Sequence, residues 1–149
     1  MMTPHPRGFT LLLAVLVSSI LLALGAALFN IASKEVILSS SGRDSQYAFY
    51  AADSGIECGL YWDTKQDAFS TSSALTEITC AGQTGAITKS YDAPTQTETS
   101  NVSFTGSPCI DLVINKAESP VSTIIQSYGY NTCATTNPRR IERAIREQY

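Results

Sequence analysis

The chain has 149 residues, a formal net charge of −3 and a mean hydropathy of +0.02. That length suits one domain with an appendage, and the acidic balance argues against a nucleic-acid partner, which needs a basic face for phosphate. The single histidine, His5, lies ahead of a long apolar run. Histidine-dependent nucleophilic and metal chemistries are therefore nearly excluded if that leading segment is removed or stays in the cytoplasm.

The near-zero hydropathy averages two different parts. Gly8–Ser33 carries no charge, and the sequence after it is ordinary and polar. A helix over residues 9–33 is roughly 37 Å long at ~1.5 Å per residue, enough to cross a hydrocarbon core of about 30 Å with some tilt. A secretory signal peptide has a shorter apolar stretch, ~7–15 residues, and a small-x-small cleavage site. This run passes into Lys34-Glu35 without one, so a retained membrane helix is expected. Arg7, just before it, should stay in the cytoplasm under the positive-inside rule. Small residues at Ser18, Ser19, Gly25, Ala26 and Ala27 either allow close helix–helix approach or are the ordinary small-residue content of a span.

From Lys34 to about Trp62 no proline occurs. Two ridges recur at helical spacing: Tyr47, Ala51, Ser54, Cys58 and Tyr61, and Ala48, Ala52, Ile56 and Gly59. They predict a helix packed on one side and solvated on the other by Arg43, Asp44, Asp53 and Glu57. One long helix from Phe9 to about Trp62 is the simplest reading, with Ser39–Asp44 as the place where it could break or kink.

Between Asp63 and Ser107 the composition shifts to Ser, Thr, Gly and Gln. Ala86–Tyr91 and Asn101–Thr105 read as short strands. Cys109–Lys116 is the clearest strand, with Ile110, Leu112 and Ile114 on one face, and Val121–Tyr130 follows a Glu118-Ser119-Pro120 turn. In the tail Arg139–Tyr149, local propensity favours helix. Alternation of Ile141, Ile145 and Tyr149, and pairing with the preceding strand, favour β, which is the expectation here. The fold class is α+β: one long helix and an antiparallel sheet packed on its outer half.

Cys58, Cys80, Cys109 and Cys133 are widely spaced, with no C-x-x-C pair, which argues against a zinc ribbon. Free structural cysteines remain open, and two disulfides in an oxidising compartment are favoured. Of the three connectivities, sequential pairing is preferred, Cys58 with Cys80 and Cys109 with Cys133. Each closes a loop worth about 3 kcal/mol on the chain-entropy model.

Two segments resemble a known family. Arg7-Gly8-Phe9-Thr10-Leu11, directly before the apolar helix, resembles the prepilin signal of type IV pilins and type II secretion pseudopilins. Tyr47–Leu60, YAFYAADSGIECGL, resembles the A-x-x-A-A-x-x-G-hydrophobic segment in the outer helix of PilX-type minor pilins and the large minor pseudopilins. IIQSYGY and RRIERAI are similar, more loosely, to the closing strand pair of such heads. The resemblance covers the first ~60 residues well.

It implies a pilin-like fold divided into a leader (1–8), an assembly and transmembrane helix (9–33), the outer helix (34–62) and a β-rich head (63–149). A membrane peptidase would cut after Gly8 and methylate the new N-terminus, Phe9. Residence in the bacterial cytoplasmic membrane, head outward, would precede incorporation into an extracytoplasmic filament. The implied partners are other pilin subunits, the prepilin peptidase and the membrane, with no cofactor and no metal. One position departs from the pattern: major pilins carry a glutamate at the fifth residue after the cut, and here it is Leu13. A carboxylate at that depth costs ~2.5–3.5 kcal/mol on insertion scales, which the family is thought to recover by pairing with a neighbour's N-terminus. Leu13 removes both the cost and the pairing, which points to a minor subunit at or near a filament tip.

Two other readings compete. One is a single-pass membrane-anchored extracytoplasmic binding domain, which needs no cut at Gly8. The other is an enzyme using paired carboxylates among Asp53, Glu57, Asp63 and Asp67. At helical spacing on a polar face these read as solvated surface, and neither a G-x-S-x-G nor a Gly-rich phosphate loop is present.

Overall fold

A computed structural model describes Arg7–Tyr149. The expected leader peptide falls largely on Met1–Pro6, including His5, which lie outside the described residues. One α-helix, α1, runs from Arg7 to Gln66 and is followed by six strands. They are β1 (Glu77–Cys80), β2 (Gln83–Asp92), β3 (Thr97–Phe104), β4 (Cys109–Glu118), β5 (Val121–Tyr130) and β6 (Glu142–Gln148). The sheet is a meander, each strand hydrogen-bonded antiparallel to the next in chain order. This is the α+β architecture expected from the residue pattern.

The chain divides between Ser41 and Gly42 into two units. In the first, the described residues are helix alone. In the second, residues 42–66 of α1 cover one face of the sheet. Ser39–Asp44 is helical throughout. Serine and glycine in a helix cost at most about 1 kcal/mol each relative to alanine, far less than proline.

The helix–sheet contact selects one of the two expected ridges. Ala48, Ala52, Ile56 and Gly59 are buried together with Ala51, whereas Tyr47, Ser54 and Tyr61 face outward. The inward residues are small because the backbones lie close. A Cβ on Gly55 would strike Ser127 Oγ and Ile110 of the sheet, and one on Gly129 would strike backbone atoms of Ala48, Ala51 and Ala52. Ile110, Leu112 and Ile114 of β4 and Ile125 of β5 complete the interior, as the alternation in β4 required.

Helix α1 ends four residues beyond Trp62 because nothing before Asp67 stops it. Asp67 takes a left-handed backbone conformation (φ 47°) and its N–H donates to Asp63 O at 3.2 Å, the αL form of helix cap. Ala68 and Phe69 then turn into the core, both fully buried.

Strand β1 has no counterpart in the sequence-based expectation. It is only four residues long, and its alternation buries Ile78 and Cys80 before an Ala81-Gly82 turn. Both turn residues have positive φ, 49° and 75°, as a tight two-residue hairpin requires. The tail forms β6, with Ile145 packed against the core, rather than a helix. Pairing with β5 satisfies backbone groups that helical propensity alone would not have placed there.

Ser127 is fully buried and its Oγ has no hydrogen-bond partner among the described residues. An unsatisfied buried hydroxyl costs roughly 1–3 kcal/mol. Ser127→Ala should therefore raise the denaturant midpoint of unfolding, and a lowered midpoint would show that the hydroxyl is satisfied in solution.

Candidate functional site

The residues singled out in the sequence fall into two sets, one in each unit. In the first unit, the backbones of Gly8 and Phe9 lie in the opening turns of α1. Phe9 is 67% exposed and Leu13 53% exposed, and the apolar side chains from Leu11 to Leu38 are exposed all round the helix. A helix that is apolar on every side has no stable place in water. The stretch is long and apolar enough to cross a membrane.

Its polar side chains fit that solvent. Ser18 Oγ donates to Ala14 O at 2.7 Å, Ser19 Oγ to Leu16 O at 2.8 Å, and Ser33 Oγ to Asn30 O at 2.9 Å. Each hydroxyl is satisfied by its own helix, so these three serines need neither water nor a partner chain in hydrocarbon. Ser18, Ser19 and Ala26, with Ala14 and Ala23, line a shallow groove along the helix. Gly25 stands clear of it, and a Cβ there would meet no atom of this chain.

In the second unit the cysteines are joined in sequential order. Cys58 of α1 is bonded to Cys80 of β1 with Cα atoms 5.9 Å apart, and Cys109 of β4 to Cys133 after β5 with Cα atoms 5.4 Å apart. The first bond fixes the edge strand to the helix, assisted by Trp62 Nε1 donating to Thr79 O at 3.1 Å. The second ties the β5–β6 connection to the sheet. A recess beside it is lined by Tyr47, Pro108, Tyr130 and Asn131. The Arg140 guanidinium lies 3.7 Å from the centre of the Tyr130 ring. Burial, then the nearby Asp111 carboxylate, push the Tyr130 phenol up to about 12.

The carboxylates Asp53, Glu57, Asp63 and Asp67 do not share one environment. Asp53 and Glu57 are exposed, as a solvated face requires, and Asp67, just past the helix, is exposed with Oδ1 3.5 Å from Lys116 Nζ. Asp63 is not: it is 7% exposed and bound on both oxygens. Lys116 Nζ lies 2.6 Å from Oδ1, and Tyr149 O–H donates to Oδ2 at 2.6 Å. Further along the helix face, Arg143 Nε donates to Ser45 Oγ at 2.9 Å and Arg139 lies 3.7 Å from Asp44. The tail is thus held to α1 at two levels. Sequence reasoning missed the Asp63 site, because its partners lie 53 and 86 residues away and no local pattern announces them.

Comparisons with protein-family models, with curated proteins and with solved structures return no match.

Proposed function

We propose that this chain is a minor pilin or pseudopilin, a structural subunit of a type IV pilus or type II secretion-like filament placed at or near the tip. The observation that carries the reading is α1 itself. Its first part is apolar on every side with its serines internally satisfied, and its last part is amphipathic and forms the core of a disulfide-linked head. Arg7-Gly8-Phe9-Thr10 stands directly ahead of that helix, where a peptidase cut after Gly8 leaves the anchor attached. The span holds the subunit in the membrane, N-terminus inward, until extraction exchanges lipid contact for contact with neighbouring helices. Leu, Val, Ile and Ala are nearly indifferent between those two surroundings, so packing of small residues decides the association.

N-terminal sequencing and intact mass of the membrane-bound protein test this reading. A mature chain beginning at methylated Phe9 is expected, and Gly8→Asp should leave the precursor uncut. A membrane form still carrying Met1 or Met2 and an intact Gly8 would instead fit a single-pass anchored binding domain. Leu13 supplies a second expected result. Leu13→Glu should change the amount of this subunit recovered in sheared filaments, because it restores a carboxylate able to pair with a neighbour's N-terminus. Equal recovery of variant and parent would remove the link between Leu13 and minor status.

A further inference from the structure

Where α1 ends, the interior of the head is polar. In the sheet register Glu98 of β3 lies opposite Lys116 of β4, and Lys116 opposite Thr123 of β5. Tyr149 extends the row, exchanging backbone hydrogen bonds with Thr123 in both directions at 2.7 and 3.0 Å. Asp63 closes on it from the last turn of the helix. Its side chain is 5% exposed and that of Lys116 25% exposed. Glu98 is 6% exposed, and its carboxyl feels Lys89 and Lys116 through space. Lys116 Nζ also lies 3.5 Å from Asp67 Oδ1, so this lysine sits among carboxyls of the helix end and of β3.

We propose that Lys116 and Asp63 become joined by an amide bond, formed by the folded head on itself. Lys116 Nζ lies 2.6 Å from Asp63 Oδ1, in contact with the carboxyl group whose carbon it would attack. The attack needs Nζ as a free amine, so its first step is the transfer of one proton from Nζ to Oδ1. The amine lone pair then attacks Cγ, and the C=O electrons move to Oδ2, where the Tyr149 O–H already donates. Burial and the Asp63 bond hold that phenol well above its ordinary range, so the donor keeps its proton. A second proton passes from Nζ to Oδ1, the Cγ–Oδ1 bond breaks, and one water leaves. The products are a neutral secondary amide and water, with no oxidant or cofactor required. Burial raises the Glu98 carboxyl, against the pull of Lys89 and Lys116, in the strand position opposite Lys116. The bond would fasten the last turn of α1 to an interior strand of the sheet, beside the Cys58 disulfide that fastens the same part of the helix to the edge.

Intact mass of the full-length protein with both disulfides closed decides the matter, whether or not any variant folds. The expected mass is one water below that of the disulfide-bonded chain. After reduction, trypsin should spare Lys116 and release residues 44–65 joined to residues 90–139. Lys116→Arg, which keeps the charge but forms no such amide, should restore the full mass and abolish the joined peptide. Asp63→Asn should still join, losing ammonia in place of water, and Glu98→Gln and Tyr149→Phe should lower the joined fraction severalfold. An unreduced mass together with cleavage after Lys116 in the parent protein would overturn the proposal and leave Asp63 and Lys116 as an ion pair.

Discussion

Gly129→Ala is expected to unfold the head at temperatures where the parent is stable. The new Cβ would fall against the Ala48 carbonyl oxygen, the Ala52 nitrogen and the Ala51 carbonyl carbon. All three are backbone atoms inside a helix, so no change of rotamer relieves the contact. The helix would have to lift from the sheet, opening the core formed by Ala51, Ile56, Ile110 and Ile125. Overpacking that side chains can absorb costs about 1–3 kcal/mol. A clash that only backbone movement relieves belongs to the exceptional class above about 4 kcal/mol, a large part of the ~5–15 kcal/mol available to a domain. Urea unfolding of the full chain in detergent, followed by near-ultraviolet circular dichroism, measures it. Gly42→Ala is the control, because a Cβ there meets nothing within 4 Å, and it should stabilise slightly by helix propensity. Equal midpoints for Gly129→Ala and Gly42→Ala would show that helix and sheet are not packed backbone to backbone.

Replacing Cys58 and Cys80 together by alanine should destabilise the head by about 3 kcal/mol, the chain-entropy value for a closed loop of this size. The two residues are 22 positions apart. Alanine avoids placing new hydroxyls in the core, where Cys80 is 4% exposed. Beyond the global change, the loss should be felt first at β1, a four-residue edge strand paired only with β2. Hydrogen exchange at Ile78 and Cys80 is expected to accelerate before exchange in β4 and β5 does, and the 70–76 connection should become the first site of limited proteolysis. Uniform acceleration across all six strands would mean that β1 is not held separately by this bond.

The parts of the fold that local pattern can specify were legible from the residues. An uncharged run at membrane length, followed by helical spacing without proline, determines a long helix, because solvent preference and periodicity act on each residue independently of the rest of the chain. Alternation was enough for β4, but β2 and β3 were legible only in part: Ala86–Tyr91 and Asn101–Thr105 were expected, and the strands run over Gln83–Asp92 and Thr97–Phe104 because ladder pairing carries them into polar residues. The tail was ambiguous in itself. Ile141 and Ile145 satisfy both periods, and only the vacant edge of β5 made it a strand. Strand β1 was illegible because four residues carry too short an alternation to stand above background.

For the candidate site the division is similar. Gly8, Phe9 and Leu13 were singled out by a linear resemblance, into which long-range packing does not enter. Asp63 belongs to no linear signal. Its spacing from Asp53, Glu57 and Asp67 groups it with solvated carboxylates, and only the folded sheet brings Lys116 and Tyr149 to it. Likewise the choice between the two helix ridges was not local. Both are half apolar, and the one that carries Ala48, Ala52 and Gly59 was taken because small residues let backbones approach where Gly129 crosses. The sequence by itself determined a membrane-length helix, an α+β class and a cysteine framework, all properties of short segments and their solvent. Tertiary structure alone decided which helix face is interior, where the tail pairs and which carboxylate is buried, since those depend on contacts between residues far apart in the chain.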